Sequence, residues 1–468
     1  MAGAETIERL RQYLRELSPR ARALLIGEFE RSLLAGDDAA GTDLVLQELR
    51  AIVREQREGA PRIGHCARLF FKPLEPFLVD ARPDHNHPGR IARQSLEPLW
   101  TWISRDLLPV DARELADDVN VALLARDQAG AEASTGIFQS KVAAAIEANL
   151  AAGTTDEKGR RRTLAQIGTP HAGEEVAMLK CVLAGRDTLA AMAAQLPLRI
   201  VDMSNGEIDT YKEMIENISA ENGELFLYAL LVVMNRLSEP WQIIRFGVKA
   251  AGSDIAARVA ETHYGVTVTI VLAELERLVD ELDNDLQNGR GIATGALLKT
   301  IHDTARGLRT ELDLPVDSTW GRALSAQRAR TAELLRLQIV SAPGRVRRLL
   351  RPRPSTEILA NSVLDADEVA ETETLLAFVC NCRQFAGELA LNEMTQQACA
   401  EIQQYLDSGT RPLLDGLRHA GESDRRFRQS QVKAAVRFSA KLLGGEYAVQ
   451  LAKAAEVAEG AEARLLQA

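Results

Sequence analysis

Residues 266–286 read VTVTIVLAELERLVDELDNDL, and their spacing decides the expected fold. Val268, Val271, Leu272, Leu275, Leu278, Leu282 and Leu286 recur at intervals that bring them onto one side of an α-helix. Glu274, Glu276, Asp280, Glu281, Asp283 and Asp285 fill most of the gaps, so a long amphipathic helix is expected. The opening Val266-Thr267-Val268-Thr269-Ile270 alternates as a strand would. A lone strand leaves its backbone N–H and C=O groups without partners, which favours helix there as well.

Outward from this stretch the same period recurs in Ile26, Phe29 and Leu33, and in Leu96, Leu99, Trp100, Ile103 and Leu107. Helix starts are expected at Ser18-Pro19 and Thr169-Pro170, where a hydroxyl cap precedes a proline at the first helical position. Asp111 with Glu114, and Ser204 with Glu207, have capping-box spacing. Aromatics make up only 4% of the chain, which disfavours sheet. The expected fold is therefore all-α, antiparallel helical bundles in several segments with essentially no β-sheet.

Two breaks divide the chain. The stretch 151–162, AAGTTDEKGRRR, lacks apolar periodicity, and Pro343-Gly344 opens a run carrying Arg345, Arg347, Arg348, Arg351 and Arg353 with Pro352 and Pro354. A proline inside a helix removes a hydrogen bond and clashes with the preceding turn, so no helix is expected to cross that run. The division is an N-terminal helical region at 1–155 with a Pro- and aromatic-rich insert at 61–109, a central bundle at 160–342, an Arg/Pro linker at 343–354, and a C-terminal helical region at 355–468. In that last region, 357–407 holds ten acids against Arg383 alone, and 411–441 holds eight bases against three acids.

With 56 Lys plus Arg against 66 Asp plus Glu, the net charge is -10, which argues against nucleic acid as a general partner. Arg outnumbers Lys 46 to 10, a coding bias rather than a nucleic-acid signal. The opening MAGAETIERLRQYLREL lacks a secretory apolar core, and the longest apolar run, Leu225 to Met234, is short of the ~20 residues that cross a bilayer. Five scattered cysteines fit reduced thiols. A cytoplasmic protein is expected.

The 61–109 insert holds seven of the 16 prolines and three of the seven histidines, and is the expected place for a pocket. His65, Cys66, Asp84, His85 and His87 supply the nitrogen, sulfur and oxygen ligands that zinc takes, although their spacing matches no established zinc pattern and an exposed turn explains 84–89 equally well. Cys380, Cys382 and Cys399 read as buried thiols. Ser430 and Lys433 have the spacing of some nucleophile pairs but no accompanying motif. His171, Glu174 and Glu175 stand at a helix N-terminus where the acids oppose anion binding. Gly289-Arg290-Gly291, Gly295 and Lys299-Thr300 fail the phosphate-loop pattern because Leu298 stands where Gly is needed. Asp283, Asn284, Asp285 and Asn288 resemble part of a calcium loop whose central Gly and terminal Glu are misplaced.

No cofactor is expected, and no catalytic residue is assigned. The expected function is a helical scaffold or protein–protein interaction protein that associates with a protein partner, including copies of itself. One alternative is an enzyme or small-ligand or metal-binding protein with its site in 61–109. Another is a binder of an anionic membrane or nucleic acid through Arg345, Arg347, Arg348, Arg351 and Arg353. Against that last alternative, these arginines and the basic 425–441 stretch are expected to lie against the acidic 357–407 block or the acidic 274–285 face, within one chain or between copies.

Overall fold

The structure, a computed structural model, describes residues 64–80, 87–153, 157–287 and 295–465, together with Leu14, Leu25, Val45 and Leu49. The expectations at Ser18-Pro19, at Ile26 to Leu33, at Asp84 and His85, and at 288–294 lie outside the described residues. Those residues are overwhelmingly helical, as the spacing predicts. Strand among them is confined to β1 (Leu78–Val79) and β2 (Ile91–Ala92), paired in parallel, and to isolated bridges. The chain divides into two compact units, Met1–Pro73 with Ser95–Gly168, and Leu74–Gln94 with Thr169–Ala468.

In the first unit α1 (His65–Phe70) and α2 (Leu96–Trp102) precede α3 (Pro109–Leu124), α4 (Gln128–Gly153) and α5 (Glu157–Ile167). The helix start read at Asp111 lies earlier: Pro109 takes the first position and Asp111, in the first turn, binds Lys141 at 2.5 Å. Much of the insert's aromatic content is core. Phe70 meets Phe71 at 5.0 Å, Trp100 at 5.4 Å and Phe138 at 5.6 Å between ring centroids, edge-on or tilted, as ring quadrupoles prefer. Buried Gln139 donates its Nε2 to the Phe70 carbonyl at 2.8 Å, so its amide nitrogen has a partner within that core.

The second unit continues through α6 (Ala172–Gln195), α7 (Asn205–Glu221), α8 (Phe226–Met234), α9 (Ile244–Ala251) and α10 (Ala256–Ala260). The capping box at Ser204 and Glu207 forms, each side chain bonding the other's backbone N–H. At Thr169 the expected cap does not: the hydroxyl donates to buried Glu175 at 2.5 Å, and the helix opens three residues later at Ala172. The apolar run read as too short for a membrane is α8, buried on nearly every side, as a core helix must be. No helix among the described residues is long and apolar enough to cross a membrane.

Then follow α11 (Val266–Gln287), α12 (Gly295–Glu311), α13 (Thr319–Leu350), α14 (Ala366–Gln384), α15 (Asn392–Arg418), α16 (Arg425–Leu442) and α17 (Gly445–Leu465). Helix α11 buries Val268, Val271, Leu275, Leu278 and Leu282 as predicted. Its acidic face meets arginines from two helices. Arg277 lies between Glu274 at 2.8 Å and Glu281 at 3.1 Å, and Arg330 of α13 reaches Asp280 at 2.6 Å and Asp283 at 3.5 Å. Neighbouring guanidinium groups, not water alone, balance that face.

The helix break expected at Pro343 does not occur, because α13 runs through it to Leu350. An interior proline costs a helix about 3 kcal/mol. Ile339, Ala342, Val346, Leu349 and Leu350 are all buried on both sides of it, and burying a large aliphatic side chain contributes about 1.5–3 kcal/mol. Burial wins. The helix stops instead before Pro352 and Pro354, where the backbone is extended. Replacing Pro343 by Ala restores one hydrogen bond and removes the clash while giving up about two methylenes of packing, so unfolding free energy should rise by about 1 kcal/mol. Thermal and urea unfolding of P343A would show it, and a fall would mean that the ring's contacts outweigh the backbone penalty.

Candidate functional site

The last three turns of α13 carry arginines at 345, 347 and 348, and Arg351 and Arg353 follow on the extended stretch. On a helix, residues three apart share a side and adjacent residues diverge, so Arg345 and Arg348 look one way and Arg347 the other. Arg345 pairs with Glu371 at 3.5 Å and Arg348 with Glu368, both on α14. Arg347 pairs with Glu401 on α15, and Arg351 with Glu357 at 3.3 Å. Arg353 stacks over the Phe427 ring at 5.1 Å. From the basic α16, Arg437 binds Glu373 through Nε at 2.8 Å, and Lys441 approaches the same carboxylate at 3.6 Å. The acidic block and the basic segments on either side of it thus meet within one chain.

These pairs orient the helices more than they hold them. The side chain of Arg348 is 63% exposed and that of Arg351 66%, and exposed ion pairs contribute about 0–1 kcal/mol each. The buried apolar side chains of α13, α14, α15 and α16 supply the larger stabilisation.

One polar cluster beside these pairs centres on buried Asp424, with Arg428 half-buried and Ser355 exposed. Arg428 donates Nε to Asp424 at 2.7 Å and Nη2 to Ser355 Oγ at 3.1 Å and to the Arg353 carbonyl at 3.3 Å. Ser355 Oγ donates to Asp424 Oδ2 at 2.8 Å. Burial alone would push the Asp424 carboxyl up, but these hydrogen bonds and the Arg428 charge outweigh it and hold the group below the ordinary aspartate range. Gln431, also buried, donates to the carbonyls of Leu349 at 3.1 Å and Arg351 at 2.9 Å. So α16 fastens the extended stretch after α13 by binding its backbone, which is how a non-helical segment inside a helical unit satisfies its carbonyls.

On the α15 side the ridge borders an open cleft of about 380 Å³ lined by Arg347, Glu401, Gln404, Tyr405 and Ser408. Glu401, Tyr405 and Ser408 follow one another at four and three residues along α15, so they form a single stripe. The Tyr405 hydroxyl donates to the Arg347 carbonyl at 3.4 Å. Burial pushes its pKa up, and the charges of Arg347 and Arg351 partly oppose this. Glu401 also accepts from Gln397 at 3.2 Å. This stripe was not singled out in the sequence, where no motif sets it apart. Its available signal was the helical spacing from Glu401 to Ser408.

The other candidates separate. His65 and Cys66 belong to the first unit and His87 to the second. His65 is exposed, Cys66 half-buried and His87 buried, and burial pushes the Cys66 thiol up to about 11, away from the thiolate a metal needs. No group of three or more metal-capable side chains occurs among the described residues. Cys380 is half-buried while Cys382 and Cys399 are buried, all as free thiols, and burial pushes Cys382 up to about 12. Ser430 accepts from the Leu364 N–H at 3.0 Å and donates to the Phe427 carbonyl at 2.6 Å, whereas Lys433 is exposed. Lys299 pairs with Asp303 at 2.6 Å inside α12. Gln287 donates to Asp283 at 2.8 Å within the α11 helix, where the calcium-like residues began. Comparison with known protein families, curated proteins and solved structures finds no match.

Proposed function

We propose that this chain is a helical interaction or scaffold protein that associates with copies of itself through the first unit. The supporting observation is the outer side of α3. Val110 is 64% exposed, Val121 67% and Leu124 87%, and they lie at heptad-compatible spacing on one helical stripe completed by exposed Glu114 and Asp117. On α4, Ile137 is 63% exposed. Large apolar side chains exposed on regular helices suit a partner surface, and a homo-oligomer meets that need with a self-complementary patch.

Covering four such side chains yields a gross gain of about 6 kcal/mol, near the low end of the about 4–15 kcal/mol that association costs. The expected assembly is therefore weak and concentration-dependent. Light scattering or sedimentation from about 1 to about 100 μM should show the mean mass rising. Replacing Val121 and Leu124 together by Glu should hold it at one chain. A wild-type mass equal to one chain throughout that range would sink self-association.

A further inference from the structure

We propose that the cleft between α13 and α15 binds a small phosphate monoester, with Arg347 as the main contact. The cleft is large enough, at about 380 Å³, for a phosphate with an organic body. Its lining offers two donors, the Arg347 guanidinium and the Gln404 amide, while the Tyr405 and Ser408 hydroxyls donate to the carbonyls of Arg347 and Gln404. Arg347 uses Nη2 on Glu401, and its remaining N–H groups have the planar fork that suits a phosphate. Against these stands one carboxylate, Glu401.

That carboxylate makes the site competitive. Glu401 holds Arg347 in place when the cleft has no ligand, and an incoming phosphate must displace it from the guanidinium. Removing the Glu401 charge should therefore strengthen binding, and removing Arg347 should weaken it. Arg345 pairs with Glu371 on α14, across the helix from the cleft, so its loss should leave binding unchanged.

The test is isothermal titration of the full chain with phenyl phosphate, and with inorganic phosphate as the minimal probe, at fixed ionic strength. Saturable binding is expected, weakened roughly tenfold or more in R347Q, since a charge-assisted contact is lost. In E401Q it should tighten several-fold, and in R345Q it should match the wild type. Should R347Q fail to fold, R347K keeps the charge and loses the fork, and should also weaken binding. The proposal is overturned by absence of saturable binding, by equal losses in R345Q and R347Q, or by unchanged affinity in E401Q. It is overturned too if neither phosphate binds while an oligonucleotide or an anionic vesicle does, because the arginines would then serve a macromolecular surface.

Discussion

Replacing Asp424 by Ala should lower the unfolding free energy by about 3 kcal/mol, the usual result of leaving one member of a buried ion pair alone. The side chain of Asp424 is only 2% exposed and that of Arg428 13%, so the abandoned guanidinium has little water to turn to. Ser355 loses an acceptor at the same time, and the extended stretch after α13 loses one of its fastenings. Urea unfolding of D424A would measure the effect, and a change under about 1 kcal/mol would mean that the cluster relaxes into solvent. Acid provides an independent check. A carboxyl held below its ordinary value stabilises the fold fully above about pH 3.9, the unfolded aspartate pKa, and loses that contribution as pH falls through its lowered folded value. Wild-type stability should thus drop in acid by more than that of D424A, which has already lost this contribution.

The second large effect is expected at Leu230. It is fully buried in α8, flanked by Ala229, Leu231 and Val233, which are fully buried as well. A Leu230→Ala variant leaves a cavity in a helix without an exposed side to collapse toward, so a loss of about 3–5 kcal/mol is expected. Calorimetric or denaturant unfolding would test it. A loss below about 2 kcal/mol would show that neighbouring side chains repack into the space.

Both positions bear on how much the sequence discloses. Leu230 was legible, because a ten-residue apolar run too short for a bilayer has few places to go but a core. The α11 stripe and the Ser204 capping box were legible for the same reason: local spacing states which atoms will be near one another. The matching of acidic and basic blocks could be anticipated from charge alone, although which arginine meets which glutamate depends on how α14 and α15 flank α13. The helix through Pro343 was not legible because the proline's local penalty is visible in the sequence, whereas the burial of Ile339, Ala342, Val346, Leu349 and Leu350 that outweighs it depends on what packs against them in the fold. Asp424, Ser355 and Arg428 carry no motif, and are joined only when the extended stretch returns to α16. The cleft at Arg347 escaped notice likewise, since its walls come from helices 54 residues apart.

The order of these partners along the chain has a consequence for synthesis. Arg348 precedes Glu368 by 20 residues, and Arg347 precedes Glu401 by 54. At about 5–20 residues per second, a ribosome makes the arginine segment several seconds before the last of its acids. For that interval Arg347 stands without the carboxylate it has in the finished chain, whereas Arg351 gains Glu357 after only six residues. A product that terminates between Glu357 and Glu368 holds the partner of Arg351 and never gains those of Arg345, Arg347 and Arg348.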